Sequence, residues 1–215
     1  MVRVGIVAEG KSDWLALESF LEALHPDIQF ERLRPDLTLL SRSPHGWRGV
    51  KAWCQEHGPR LETLMQGVIG RPLHLLLVHL DCSMAHNEGA RRPCPPAADT
   101  ADALREVVLG WLARHPQPSC LLIVTPSMQT DTWVVAALTP PYRGDAPLEC
   151  DMEVERELVR RRLLRRKDGE VKKPEAQFRP LVKQMAAQLD EVCGRCPQAK
   201  RLHTEFTAAV ALLGG

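Results

Sequence analysis

Leu73-His74-Leu75-Leu76-Leu77-Val78-His79-Leu80-Asp81 is the stretch that decides the fold. It is apolar except for His74 and His79, and lacks the alternation of a strand with one wet face. At eight residues before the acid it is far short of the ~20 that cross a bilayer. It therefore predicts a strand buried on both faces, as in parallel sheets covered by helices. Val2 to Ala8 is a β-branched run of the same kind, ending at Glu9-Gly10, and Ile28 to Leu33 and Cys120 to Thr125 are shorter ones. Between them lie helical patterns. Trp14, Leu15, Leu17, Leu21 and Leu24 share a helical spacing, with Ser12 as the expected cap and His25-Pro26 as the stop. Gly46-Trp47 opens a helical region punctuated by Gly58-Pro59 and ended by Gly70. Thr100 to Arg114 and Asp131 to Leu138 predict two more helices, while 36–46 reads as loop and Ser83 to Ala98 as a surface insertion.

Strand alternating with helix predicts an α/β fold, a mostly parallel sheet with helices on both faces, over residues 1–139. From Pro140 the pattern changes to a Pro/Gly loop, a charged helix, and an amphipathic pair around Phe178 to Leu189 and Ala199 to Leu213. Residues 140–215 are thus expected to form a C-terminal helical extension packed on the sheet as one compact unit. Hydrophobic residues at 44% and charged residues at 26% are ordinary for a globular protein of 215 residues. A net charge of +1 supplies no global field toward nucleic acid or membrane. No run is long enough for a membrane span, and Met1 leads straight into a strand, which predicts no secretory leader. Seven cysteines, an odd set in no framework spacing, suit a reducing, cytoplasmic setting better than an oxidising one.

In open parallel sheets ligands bind beyond the carboxyl ends of the strands. Three such ends carry reactive groups here: Glu9 to Asp13, Asp81 to Ser83, and Pro126 to Asp131. Carboxylates on adjacent strand ends suit Mg²⁺, a hard ion that takes one or two of them and keeps several waters. Glu9, after an apolar run and before a glycine, has no structural need to be acidic. Asp81 directly after a fully apolar strand carries the same signal, though a turn can also want Asp there. Asp13 and Asp131 each have an ordinary explanation as well, as acids at the positive end of a helix.

Val7-Ala8-Glu9-Gly10-Lys11-Ser12-Asp13 resembles the Glu-Gly-x-x-Asp strand end of the Toprim (topoisomerase–primase) superfamily, and Asp81-Cys82-Ser83 resembles its Asp-x-Asp strand end. Thr125-Pro126 with Asp131-Thr132-Trp133, and Gly194-Arg195-Cys196-Pro197 near the tail, are similar to small stand-alone bacterial proteins of that kind. The resemblance implies a Rossmann-like Toprim sheet and a Mg²⁺- or Mn²⁺-dependent nuclease, or nuclease subunit, acting on DNA or RNA. It implies Glu9 and Asp81 as catalytic residues and metal ligands, and Asp13, Ser83 and Asp131 as further ligands. Ser83 departs from the pattern, which has a second aspartate there, and so keeps open a catalytically degenerate binding subunit. Relatives of this kind stand beside ATPases in phage-defence loci, implying an antiviral role and an ATPase partner.

Gly5-Ile6-Val7-Ala8-Glu9-Gly10-Lys11-Ser12 also satisfies the P-loop pattern of a nucleotidase, but it would require Ile6 to Ala8 to leave the strand. Lys11, Arg160, Arg161, Arg165 and Arg166 are candidate phosphate contacts; acids from Glu149 to Glu157 could equally neutralise the basic run from Arg156 to Lys173. Cys193-Gly194-Arg195-Cys196 has metal-site spacing without two further ligands and reads as loop cysteines. His79 reads as a core histidine near the site, and the five tryptophans read as core.

Overall fold

The computed structural model describes residues 1–35, 45–67, 71–139, 148–150 and 153–214. Most of the loop expected at 36–46, the helix end expected at Gly70 and the loop expected from Pro140 lie outside the described residues. In chain order the elements are β1 (Val2–Val7), α1 (Lys11–Leu24), β2 (Ile28–Arg34), α2 (Gly46–His57), α3 (Leu61–Met65) and β3 (Leu75–His79). Then follow α4 (Ala98–Leu112), β4 (Leu121–Val124), α5 (Asp131–Leu138), α6 (Val154–Arg160), β5 (Arg165–Lys167), β6 (Glu170–Lys172), α7 (Glu175–Ala186), α8 (Leu189–Arg195) and α9 (Pro197–Leu213). Short 3₁₀ turns occupy Gly58–Arg60, Cys82–Glu88 and Leu148–Cys150.

β1 to β4 form one all-parallel sheet in the order β2-β1-β3-β4, the α/β architecture that the buried runs predict. Because β1 is inside the sheet, the chain leaves it on one side for β2 and returns on its other side as β3. The strand order therefore reverses between β1 and β3, and a crevice opens at their carboxyl ends. Side chains alternate strictly across the sheet. Val4, Ile6, Leu75, Leu77, Leu122 and Val124 join the core formed with α1, α5 and the C-terminal helices. Val7, Leu76, Val78, Leu121 and Ile123 join a second core with α2, α3 and α4. Trp133 of α5 is fully buried and stacks against Phe20 of α1, ring centroids 5.3 Å apart, which locks these two helices together. The same core runs on through Phe178, Met185, Leu202 and Phe206, so the C-terminal helices complete the sheet's covering layer.

Several expectations need correction. Ser12 does not cap α1; the helix starts one residue earlier, behind Gly10, whose extended backbone (φ −144°, ψ 175°) turns the chain out of the strand. The stretch after Asp81 is not a loose surface insertion, because Met84, Ala85 and Ala90 are buried against α4. The basic run is not one charged helix. α6 ends at Arg160, and Arg165 to Lys172 form a hairpin whose Asp168-Gly169 turn takes positive φ at both residues (54° and 81°), the backbone that Asp-Gly favours. The cysteines are not all free. Cys94 and Cys150, 56 residues apart, form a disulfide, a pairing that only the fold's long-range contacts create. Three helices, α7 to α9, stand where the pattern predicts an amphipathic pair. The P-loop reading fails too: β1 continues through Val7, leaving Ala8, Glu9 and Gly10 before α1, too short a loop to wrap phosphate.

Gly58, between α2 and α3, is a packing constraint. A Cβ there would lie 2.4 Å from the Leu112 carbonyl oxygen and 2.6 Å from its Cα, both backbone atoms that cannot rotate away. Gly58→Ala should cost about 2 kcal/mol by pushing α4 outward. For a chain of this size that is a fall in Tm of roughly 4–8 °C, measurable by thermal denaturation.

Candidate metal centre

Glu9 stands two residues past the β1 end and Asp81 two past the β3 end, so the parallel register of these neighbours sets them side by side. The Asp81 amide donates to Glu9 Oε1 at 2.7 Å. Beyond β3 the chain stays pinned to the segment after β4, with Leu80, Cys82 and Ser83 amides donating to the carbonyls of Val124, Pro126 and Met128. That pairing carries Asp81 to the start of α5, where the Thr130 amide donates to Asp81 Oδ1 at 3.1 Å.

His79 shares the facing direction of Leu75 and Leu77, so its ring enters the layer beneath α1 and α5. It is fully buried. Its Nε2 lies 2.9 Å from Thr130 Oγ1 and 3.2 Å from Asp81 Oδ1. The ring is therefore a core histidine by burial and a partner of Asp81 by position. One potential ligand atom each from Glu9, His79 and Asp81 lies within 4.8 Å of the others. Ligand oxygens on Mg²⁺ lie at most about 4.2 Å apart, twice a ~2.1 Å bond, so the side chains would draw slightly closer around one cation. The group could hold a metal ion.

Two further acids border it. Asp13, in the first turn of α1, and Asp131, the first residue of α5, are both buried. Lys173, directly after β6, donates to Asp131 Oδ2 at 2.5 Å and lies 2.8 Å from Glu155 Oε1. Asp131 Oδ1 is buried and accepts no hydrogen bond among the described residues. Burial, then the charge of Asp81, pushes the Glu9 carboxyl up to about 8 and Asp13 to about 6. Burial also raises Asp131, although Lys173 opposes it. For His79 burial works against the charged ring, yet the hydrogen bond and charge of Asp81, with Asp13 and Glu9 behind, lift it to about 9. Four carboxylates thus share one pocket with a single imidazole and a lysine already claimed by two acids. An oxygen-rich site short of positive charge, with an unpaired buried acceptor, suits a hard divalent cation.

The remaining candidates lie elsewhere. Ser83 is exposed and lines a neighbouring cavity of about 580 Å³ with Arg91, Arg92, Ser127 and Glu149 among its walls. Lys11 pairs with Glu175 at 2.6 Å. Arg160 and Arg161 both bind Glu157, at 2.7 and 2.5 Å, and these hydrogen bonds hold that carboxyl down at about 2, so the acids of α6 do neutralise them. Arg165 and Arg166 stand exposed on the hairpin. Sequence reasoning misses Thr130, reads Lys173 only as part of the basic run and takes His79 for a core histidine near the site; the signal for His79 is a titratable residue two before Asp81, on a strand that from Leu75 otherwise admits no polar group. Among the described residues no helix is long and apolar enough to cross a membrane. Comparison with protein-family models, curated proteins and solved structures gives no match.

The crowded charge has a measurable consequence without metal. Glu9→Gln keeps the acceptor for the Asp81 amide and removes a charge that burial, and then Asp81, disfavours, so it should stabilise the metal-free protein, by on the order of 1–2 kcal/mol at pH 8.5. Because the folded-state carboxyl titrates at about 8, above its unfolded value of 4.5, the wild type loses stability as pH rises between the two. The advantage of Gln should therefore shrink toward pH 5. Urea denaturation in EDTA at both pH values checks this; equal stability at pH 8.5 would contradict the described electrostatics.

Proposed function

We propose that this chain is a metal-dependent phosphodiesterase of the Toprim kind, a nuclease or the nuclease subunit of an assembly, using Mg²⁺ or Mn²⁺ on DNA or RNA. The observation that carries the reading is the meeting of Glu9 and Asp81 at the switch point between β1 and β3, in one group with His79. The resemblance of both strand ends to the Toprim pattern supports it, as does the position of Asp131 at the same pocket. Glu9 and Asp81 would hold the ion, with Asp13 and Asp131 behind them. A divalent ion supplies neutralisation of charge developing on the attacking and leaving oxygens of a phosphodiester.

The protein groups divide the remaining work. His79 and the Thr130 amide fix Asp81 Oδ1, so one carboxylate oxygen is oriented before any ligand arrives. Glu9, whose carboxyl titrates near neutral pH, can take a proton from an attacking water once ionised. Lys173 holds Asp131 Oδ2 and leaves Oδ1 free. A second reading, a degenerate binding subunit working beside an ATPase, draws on Ser83, which puts a hydroxyl where the pattern has an acid.

The test is cleavage of plasmid DNA and of structured RNA with Mg²⁺ or Mn²⁺, with and without a co-encoded ATPase. Cleavage should require the divalent ion and fall roughly 100-fold or more in Glu9→Gln and in Asp81→Asn, which keep size and remove charge. Activity that survives Glu9→Gln would place the site elsewhere. A wild type that binds the ion and assembles with its partner yet never cuts would establish the binding subunit instead.

A further inference from the structure

The hairpin of β5 and β6 carries charge that the fold itself does not use. Between Arg162 and Lys172 there are five cations and two acids, a local +3 in a chain whose whole net charge is +1. All five cations are exposed. Lys172 pairs with Glu170, but Arg162, Arg165, Arg166 and Lys167 make no ion pair among the described residues. This contrasts with α6, where Arg156, Arg160 and Arg161 each meet a glutamate.

The register adds a cost. Arg165 stands directly opposite Lys172 in the antiparallel pair. Like charges so placed destabilise a hairpin, and a nearby polyanion turns that cost into attraction. The base of the hairpin is nonetheless fixed. Leu164 is buried and Val171 packs against the core, so the cations project from a held root. The residue after β6 is Lys173, whose amine binds Asp131 of the metal centre. The arm thus begins one residue from the site.

We infer that this hairpin is a nucleic-acid-binding arm that grips the phosphate backbone beside the metal centre. A two-stranded ribbon fits the major groove of duplex DNA. The hairpin offers no exposed apolar or aromatic residue for a bilayer, so a lipid surface is the poorer fit. The identity of the polymer rests on the proposed nuclease activity; the grip itself does not.

The experiment uses the full chain in EDTA and measures fluorescence anisotropy of a labelled DNA duplex of about 20 base pairs and of an RNA hairpin between roughly 50 and 200 mM NaCl. Arg165→Ala/Arg166→Ala/Lys167→Ala should weaken binding about tenfold or more and flatten the salt dependence by about 0.9 in log–log slope for each phosphate that the arm no longer neutralises. Lysine replacements at Arg165 and Arg166 should keep most of both, which separates charge from shape. Mn²⁺ binding should be unchanged in every variant. A triple variant with wild-type affinity and slope, or a wild type that binds neither nucleic acid, overturns the inference. Arm-dependent binding in a protein that never cleaves leaves the arm and removes the nuclease. Metal-dependent cleavage that the triple variant performs as well as the wild type does the reverse.

Discussion

The hydrogen bond from the Asp81 amide to the Glu9 carboxylate joins the ends of the two central strands, and the rest of the site follows from it. It holds one half-buried acid within reach of another, an arrangement that folding alone does not favour. Around it the structure gathers a third and fourth acid, a buried imidazole and a half-buried ammonium. His79 meets Asp81 from within the sheet, and Lys173 meets Asp131 from the C-terminal extension. Burial first, and then the charge of Asp81, raises the carboxyls of Glu9 and Asp13. A hydrophobic pocket of the same shape would be more stable. A cation bound among these acids would offset that cost.

The C-terminal segment is structurally part of this arrangement. Its helices complete the core that holds α1 and α5, the elements bearing Asp13 and Asp131. Lys173 and Glu155 both come from it, and Glu175 at the start of α7 holds Lys11 of α1. Removing it would expose Trp133 and Phe20 and leave Asp131 without its counter-charge.

Much of this is legible in the order of the amino acids. Four strands can be read because buried parallel strands are nearly continuous apolar runs, and Glu9 and Asp81 stand out as acids ending such runs. The tendency of ligands to gather at strand ends then brings Glu9, Asp81 and Asp131 together. The rest depends on long-range contacts that local pattern does not encode. Lys173 is one cation in a basic run, and only the hairpin turn sends it inward while Arg165 and Arg166 stay outside. The Asp168-Gly169 pair is the available signal for that turn, hidden by charges that favour helix equally well. His79 looks like core because it is core by burial; its role comes from Asp81 and Thr130, the latter 51 residues away. The Cys94–Cys150 bond likewise depends on the packing of distant segments.

Whether the acids at the strand ends form a cation site is tested most directly in crystals soaked in MnCl₂ and measured at the manganese absorption edge. An anomalous peak in contact with Glu9 and Asp81 is expected, absent in crystals of Asp81→Asn. A fully ordered pocket with no peak there, while manganese binds elsewhere on the chain, would contradict the cation site.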